Sequence, residues 1–382
     1  MASFPIEQFA DIQTPFYYYD RELLQQTLDV INAEVARHPG YVVHYAVKAN
    51  VDPTVLGIIR ENGLGCDCVS GGEVETCLKS GFDPKKVVFA GVGKADWEIK
   101  LALEAGIFCF NVESVPELEV INQLAGEMGK VASVCLRVNP NVDAHTHKYI
   151  TTGLSENKFG ISLEMLDEVL EIAKTLPNVR FIGLHFHIGS QLLDFEPFTM
   201  LCSRINELQE RVASHGIKLQ VINVGGGLGC DYNDPDANPV PDFASYFDSF
   251  AKHLNLLPGQ ELHFELGRSV VCQMGSLISR VLYVKNGVNK KFVILDAGMS
   301  DLIRPALYQA HHKIENLTSA STGQEKYDVV GPICESSDCF GTDELLPVTK
   351  RGDLVALRSA GAYGQIMASQ YNCRKIPSSL VL

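Results

Sequence analysis

The chain has 382 residues, 46% apolar and 20% charged, which are the proportions of a folded globular protein and exclude a disordered one. A formal charge of -14 argues against a nucleic-acid surface, because phosphate binding needs clustered Lys and Arg, yet a local cationic pocket for a small anion stays open. No apolar run is long enough to span a bilayer, so a membrane partner is not expected either.

In chain order, TPFYYYD at Thr14–Asp20 reads as an early strand that joins a later domain. Short β-branched runs then recur at Tyr41–Val47, Leu64–Val69, Lys86–Ala90, Ile107–Asn111, Ala132–Val138, Arg180–His187, Leu219–Val224 and Glu261–Glu265. Helix-like segments lie between them, at Val51–Asn62, Gly72–Ser80, Lys94–Ala105, Pro116–Glu127, Leu163–Leu176, Phe195–Ser214 and Asp242–Leu254. Apolar strands alternating with amphipathic helices predict an α/β fold with a parallel sheet covered by helices. Eight such strands predict a closed (β/α)8 TIM-like barrel over residues 21–265. An open doubly wound sheet is the competitor, weakened because no GxGxxG opens a helix after the first strand. After about Leu266 strand-like pieces are joined by Gly, Pro and charged turns, so residues 1–20 and 266–382 are expected to form a second, β-rich domain.

The opening MASFPIEQFADIQ has neither the basic region nor the apolar core of a leader peptide. Eleven cysteines without a zinc-like spacing read as reduced thiols, and a cytoplasmic location is expected.

The active site of a parallel barrel lies at the C-terminal ends of its strands, and the unusual residues of this chain fall there. Lys48 follows the first strand and Asp67 ends the second. Arg137 and Asn139 end the fifth, and His187 with Ser190 ends the sixth. Gly225, Gly226 and Gly227 follow the seventh, while Glu265, Gly267 and Arg268 follow the eighth. VGGGLG offers consecutive backbone N–H groups that suit a phosphate, although a tight turn alone would also use glycines. His185 and His187 alternate onto one strand face and could be a metal pair, as in metal-dependent barrel hydrolases. His187 could equally lie flat over a planar cofactor. Glu265 suits a protonated heterocyclic nitrogen, or a structural ion pair with its neighbouring arginine. A buried Lys48 with a lowered pKa suits capture of an aldehyde. Pyridoxal 5'-phosphate has the aldehyde, phosphate, planar ring and pyridine nitrogen that these groups want.

HYAVKAN, CDCVSGGE, LRVNPNVDAHTHKYITTG, ENKFGI, HFHIGSQ, NVGGGLG, ELGR, DAGMSDLIRPALY, GPICESSD and GAYG, in that order from about residue 14 to near the C-terminus, resemble the diaminopimelate decarboxylases. These are barrel-type enzymes that share the alanine racemase and ornithine decarboxylase architecture. The cofactor motifs are common to the ornithine, arginine and carboxynorspermidine decarboxylases, which remain the alternatives; RPALY and CESSD point to diaminopimelate. The resemblance implies that Lys48 anchors the cofactor, His187 stacks on its ring and Glu265 keeps its nitrogen protonated, with Asp67 and Arg137 nearby. It implies that Ser190, Gly225 to Gly227, Gly267, Arg268 and Tyr363 surround the phosphate or the adjacent substrate carboxylate. It implies too that Arg268, Arg304, Tyr308 and Tyr363 hold the retained carboxylate of meso-diaminopimelate, that Glu335 reads its distal ammonium and that Cys334 donates a proton. Cys334 and Glu335 would come from the second subunit of a homodimer. Leu266 stands where the family has Pro, from which only an altered turn is expected, and Ser300 where Asn or Thr is usual.

Overall fold

The computed structural model describes residues 4–142 and 158–382. The AHTHKYITTG stretch and the start of ENKFGI fall mostly within 143–157, outside the described residues. By internal packing the chain divides into two units. One comprises Leu28–Gly229 and Asp242–Gly267, and the other Met1–Thr27, Cys230–Pro241 and Arg268–Leu382.

The first unit is a closed barrel of eight parallel strands: β2 (Tyr41–Ala46), β3 (Gly65–Cys68), β4 (Val87–Phe89), β5 (Cys109–Val112), β6 (Ala132–Arg137), β7 (Val179–His185), β8 (Val221–Asn223) and β9 (Glu261–Leu266). β9 returns to β2 in parallel register, Tyr41 opposite Leu262 and His44 opposite Glu265, which closes the ring and excludes the open sheet. Val88, Cys109, Cys135, Ile182 and Val221 form a core cluster of the barrel. A wall of rings, Tyr41, Phe198, Tyr246, Phe247, Phe250 and Phe264, packs at centroid distances of 4.8 to 5.9 Å. Strand starts and stops are set by local chemistry. Ser70 accepts the N–H of Glu73, and the Glu73 side chain reaches back to the Val69 N–H; Ser114, Glu117 and Glu113 repeat the device before the next helix. Asp52 caps the helix Pro53–Glu61 by accepting from the Thr54 and Val55 N–H groups, with Pro53 pre-set for its first position.

The second unit carries a mixed eight-stranded sheet. Its strands are β1 (Phe16–Tyr19), β10 (Gly275–Asn286), β11 (Lys291–Leu295), β12 (Ile314–Asn316), β13 (Gln324–Val330), β14 (Cys339–Pro347), β15 (Leu354–Leu357) and β16 (Ser378–Val381). TPFYYYD thus becomes β1, antiparallel to β10 and parallel to β16. Phe9, Phe16, Tyr18, Ile278, Leu354 and Ala356 form a buried cluster of this unit. One cysteine expectation is corrected: Cys230 and Cys272 are joined as a disulfide, and the other nine are thiols. The two lie 42 residues apart, a separation that carries no sequence signal. No described helix is long and apolar enough to cross a membrane.

Candidate active site

The barrel interior converges on one carboxylate. Glu265, next to last in β9, is 8% exposed and accepts from three N–H donors. Asn111 of β5 and Asn223 of β8 give amide N–H groups to Oε1 at 2.8 and 2.7 Å, and His185 of β7 faces Oε2 at 3.0 Å. A carboxylate oxygen accepts only, so His185 Nε2 carries the proton. Among the described residues its buried Nδ1 has no hydrogen-bond partner. Burial pushes the Glu265 carboxyl up, but His185 and the positive Lys48 outweigh it and hold the group well below the ordinary range. The result is a fixed, buried anion whose lone pairs are not all used.

Asp67, at the end of β3, is fully buried and lies 3.4 Å from Lys48 Nζ through Oδ2, while Oδ1 has no partner among the described residues. Burial, then the charge of Glu265, raises its pKa to about 6 against the pull of Lys48. Lys48 sits on the one-turn helix Val47–Ala49 that ends β2, between two buried neighbours. The expectation of a buried amine is thereby modified: Val47 and Ala49 on either side are buried, but the Lys48 side chain is 41% exposed at the strand tips. β7 ends at His185, so His187 belongs to the loop beyond it, with Ser190. Its Nδ1 accepts the Gly226 N–H at 3.4 Å. Burial, Arg137 and Lys48 lower the His187 pKa to about 3, which leaves a neutral ring. With His185 given to Glu265 and His187 to the glycine loop, the two rings do different work. Among the described residues no group of three or more His, Cys, Asp or Glu is arranged to hold a metal.

Two glycines of the loop after β8 are obligatory. Gly225 has φ +68°, and a Cβ on Gly226 would stand 2.1 Å from the Glu265 carbonyl oxygen. The bare backbone is what lets this loop lie against β9, with Gly227 (φ +117°) following it. Arg137 is engaged elsewhere: its guanidinium donates to Glu113 at 2.7 Å and covers the Phe159 ring at 4.8 Å. β9 runs through Leu266, paired with Tyr45, so the residue in place of Pro continues the strand and no altered turn forms there.

In the second unit, Arg268 donates to the Tyr232 hydroxyl at 2.5 Å and lies 4.9 Å over the Tyr363 ring. Arg304, which opens the short helix Arg304–Tyr308, lies 4.6 Å over Tyr232 and donates to His312 Nε2 at 2.8 Å. His312 Nδ1–H is committed to the Arg358 carbonyl, so its Nε2 must be a lone pair. Burial and Arg304 lower the His312 pKa to about 3. Two guanidinium groups are thus held on aromatic faces around one tyrosine. Cys334 and Glu335 stand exposed on the loop after β13. Ser300 is buried with its hydroxyl unpaired among the described residues, and nothing in the structure explains the choice of serine. Sequence reasoning missed Asn111, Asn223, Tyr232 and His312. The asparagines had a signal, since each is a polar residue within an otherwise apolar strand. Tyr232 and His312 had none.

A planar cationic ring nitrogen, an aldehyde and a phosphate fit what the barrel offers: a fixed anion with spare lone pairs, an amine at the strand tips and a loop stripped of side chains. The family description "pyridoxal-dependent decarboxylase, pyridoxal binding domain" matches residues 25–272, so the fold is that of a barrel-type pyridoxal-dependent decarboxylase. Along nearly the whole chain, 374 residues are 64% identical to the diaminopimelate decarboxylase of Bacteroides thetaiotaomicron, covering 98% of this chain and 97% of that one. The Haemophilus influenzae diaminopimelate decarboxylase is 44% identical over 97% of this chain and 88% of its own. The crystal structure of the Helicobacter pylori diaminopimelate decarboxylase complexed with L-lysine superposes with a TM-score of 0.93, at 41% identity, covering 99% and 93% of the two chains. The chain belongs to the diaminopimelate decarboxylase family.

Proposed function

We propose that the protein removes CO₂ from the D-configured centre of meso-diaminopimelate and releases L-lysine, using pyridoxal 5'-phosphate within a homodimer. The observation that carries this is the Glu265 carboxylate fixed by three N–H donors within reach of the strand tips that bear Lys48. When bound, pyridoxal phosphate supplies an aldehyde that captures amines and a ring that withdraws the electron pair left by departing CO₂. Lys48 is its covalent anchor, with Asp67 holding the amine in place. Glu265 keeps a proton on the ring nitrogen, because a buried anion below the ordinary carboxylate range is a poor proton acceptor itself yet stabilises a facing N–H⁺. The neutral His187 ring would cover the bound cofactor, and Arg137 supports that region through Glu113. Ser190, Gly225 to Gly227 and Gly267 receive the phosphate.

Arg268, Arg304, Tyr308 and Tyr363 hold the retained carboxylate, where a planar guanidinium matches a planar anion. The departing carboxylate must be held less firmly, or its loss would be opposed. Glu335 of the second subunit meets the distal ammonium, and the partner's Cys334 donates a proton to the carbon. Nine cysteines as thiols support a cytoplasmic location. Borohydride reduction followed by peptide mapping should place the label on Lys48; label on another lysine, or none, would sink the reading. A panel of meso-diaminopimelate, ornithine, arginine and carboxynorspermidine, with product chirality, separates the diaminopimelate reading from the other basic amino-acid decarboxylases.

A further inference from the structure

The CESSD loop is more tightly framed than its exposure suggests. Asp338 is buried, and its two oxygens accept the backbone N–H groups of Met299 and Ile333, each at 2.6 Å. Its own N–H donates to the Glu335 carbonyl at 3.1 Å. Glu335 is exposed, yet both oxygens of its carboxylate are engaged. The Tyr371 phenol donates to Oε1, and Ser337 Oγ faces Oε2 at 3.3 Å. Ser337 has one hydroxyl proton and also faces the Met299 sulfur at 3.6 Å, so Tyr371 is the firmer of the two donors.

The backbone just after this tyrosine is unusual. The two residues after Tyr371, Asn372 and Cys373, are non-glycine residues in the left-handed region, at φ 52° and 57°. Such backbone is costly and persists where its surroundings over-determine it. The bond to Glu335 also pushes the Tyr371 phenol above its ordinary pKa, so it stays a donor at physiological pH.

We propose, given the role of Glu335 set out above, that Tyr371 is a positioning residue that fixes Glu335 in one orientation and thereby sets selectivity for a substrate carrying a distal ammonium. An exposed glutamate left alone samples many rotamers and must be ordered at the moment of binding; one held by a phenol has that entropy already spent. A carboxylate has about four lone-pair sites, so the phenol leaves room for an ammonium.

The test compares L-lysine with 6-aminohexanoate, which is lysine without its α-amino group. Calorimetry measures the binding of each to the cofactor-loaded enzyme, its Tyr371→Phe and Glu335→Gln variants and the double variant. Tyr371→Phe should weaken L-lysine about tenfold, the worth of one hydrogen bond to a charged group, and leave 6-aminohexanoate unchanged. In the Glu335→Gln background it should add nothing. Equal weakening of both ligands, or an undiminished effect in that background, would overturn the positioning role. A Glu335→Gln variant that has lost selectivity beside a silent Tyr371→Phe would also overturn it while sparing Glu335. If Glu335→Gln itself binds both ligands as the unaltered enzyme does, the role of Glu335 falls, and that of Tyr371 with it.

Discussion

At Glu265 three N–H donors from three different strands fix one buried carboxylate in place, as a nearby arginine would otherwise do. Replacing it by Gln removes the anion and turns at least one acceptor into a donor facing a donor. Glu265→Gln should lower kcat by about 10²-fold, the scale of one misplaced electrostatic stabiliser, while Lys48 still binds cofactor covalently; steady-state kinetics and the visible absorption of the cofactor check both. His312 gives a stability prediction. Its folded pKa of about 3 is below the unfolded value of about 6.5, so its contribution is present above pH 6.5 and lost as pH falls toward 3. A glutamine there can donate to the Arg358 carbonyl and accept from Arg304 without titrating. His312→Gln should therefore flatten the fall in urea midpoint between pH 7.5 and 4.5, and an unchanged slope would contradict a neutral His312.

At the scale of elements, the expected strands lie close to the observed ones because each is a short apolar run bounded by turn residues. The differences are informative. Tyr41–Val47 stops at Ala46, since the chain turns into Val47–Ala49 and carries Lys48 on that turn. Arg180–His187 stops at His185, which separates two histidines that strict alternation would place on one face. A 17-residue helix at Arg21–Arg37 was not among the expected elements. The helix after Lys48 is fixed by Asp52, and Asp52→Ala should cost about 1 kcal/mol in chemical denaturation, the usual worth of an N-cap.

For the whole molecule, the proposed dimer makes a prediction that neither subunit makes alone. If Cys334 acts in the partner's site, Lys48→Ala and Cys334→Ala proteins, each nearly inactive, should complement when unfolded and refolded together. Random pairing makes half the dimers mixed, each with one intact site of two, so activity should return to about a quarter of the unaltered level. No recovery would place both residues in one subunit's site. The chain also weaves between its two units: Cys230–Pro241 packs with the sheet unit, although it interrupts the barrel sequence. That excursion brings Tyr232 to Arg268 and Arg304, and Cys230 to Cys272.

Periodicity along the chain determined the eight barrel strands and the change of texture after Leu266, because burial on both faces of a parallel strand writes itself locally into apolar runs. Position after those runs picked out Lys48, Asp67, His187, the glycines and Glu265. Partnership was not legible. Asn111 and Asn223 reach Glu265 from sequence separations of 154 and 42, and Tyr371 reaches Glu335 across 36 residues. The exposure of Lys48, the pairing of His185 with Glu265 and the engagement of Arg137 with Glu113 likewise emerged only once distant strands had closed into a ring. Hydrogen bonds and charge are short-ranged in space but blind to distance along the chain, so local sequence fixes which side chains are offered and only the folded chain decides what each one meets.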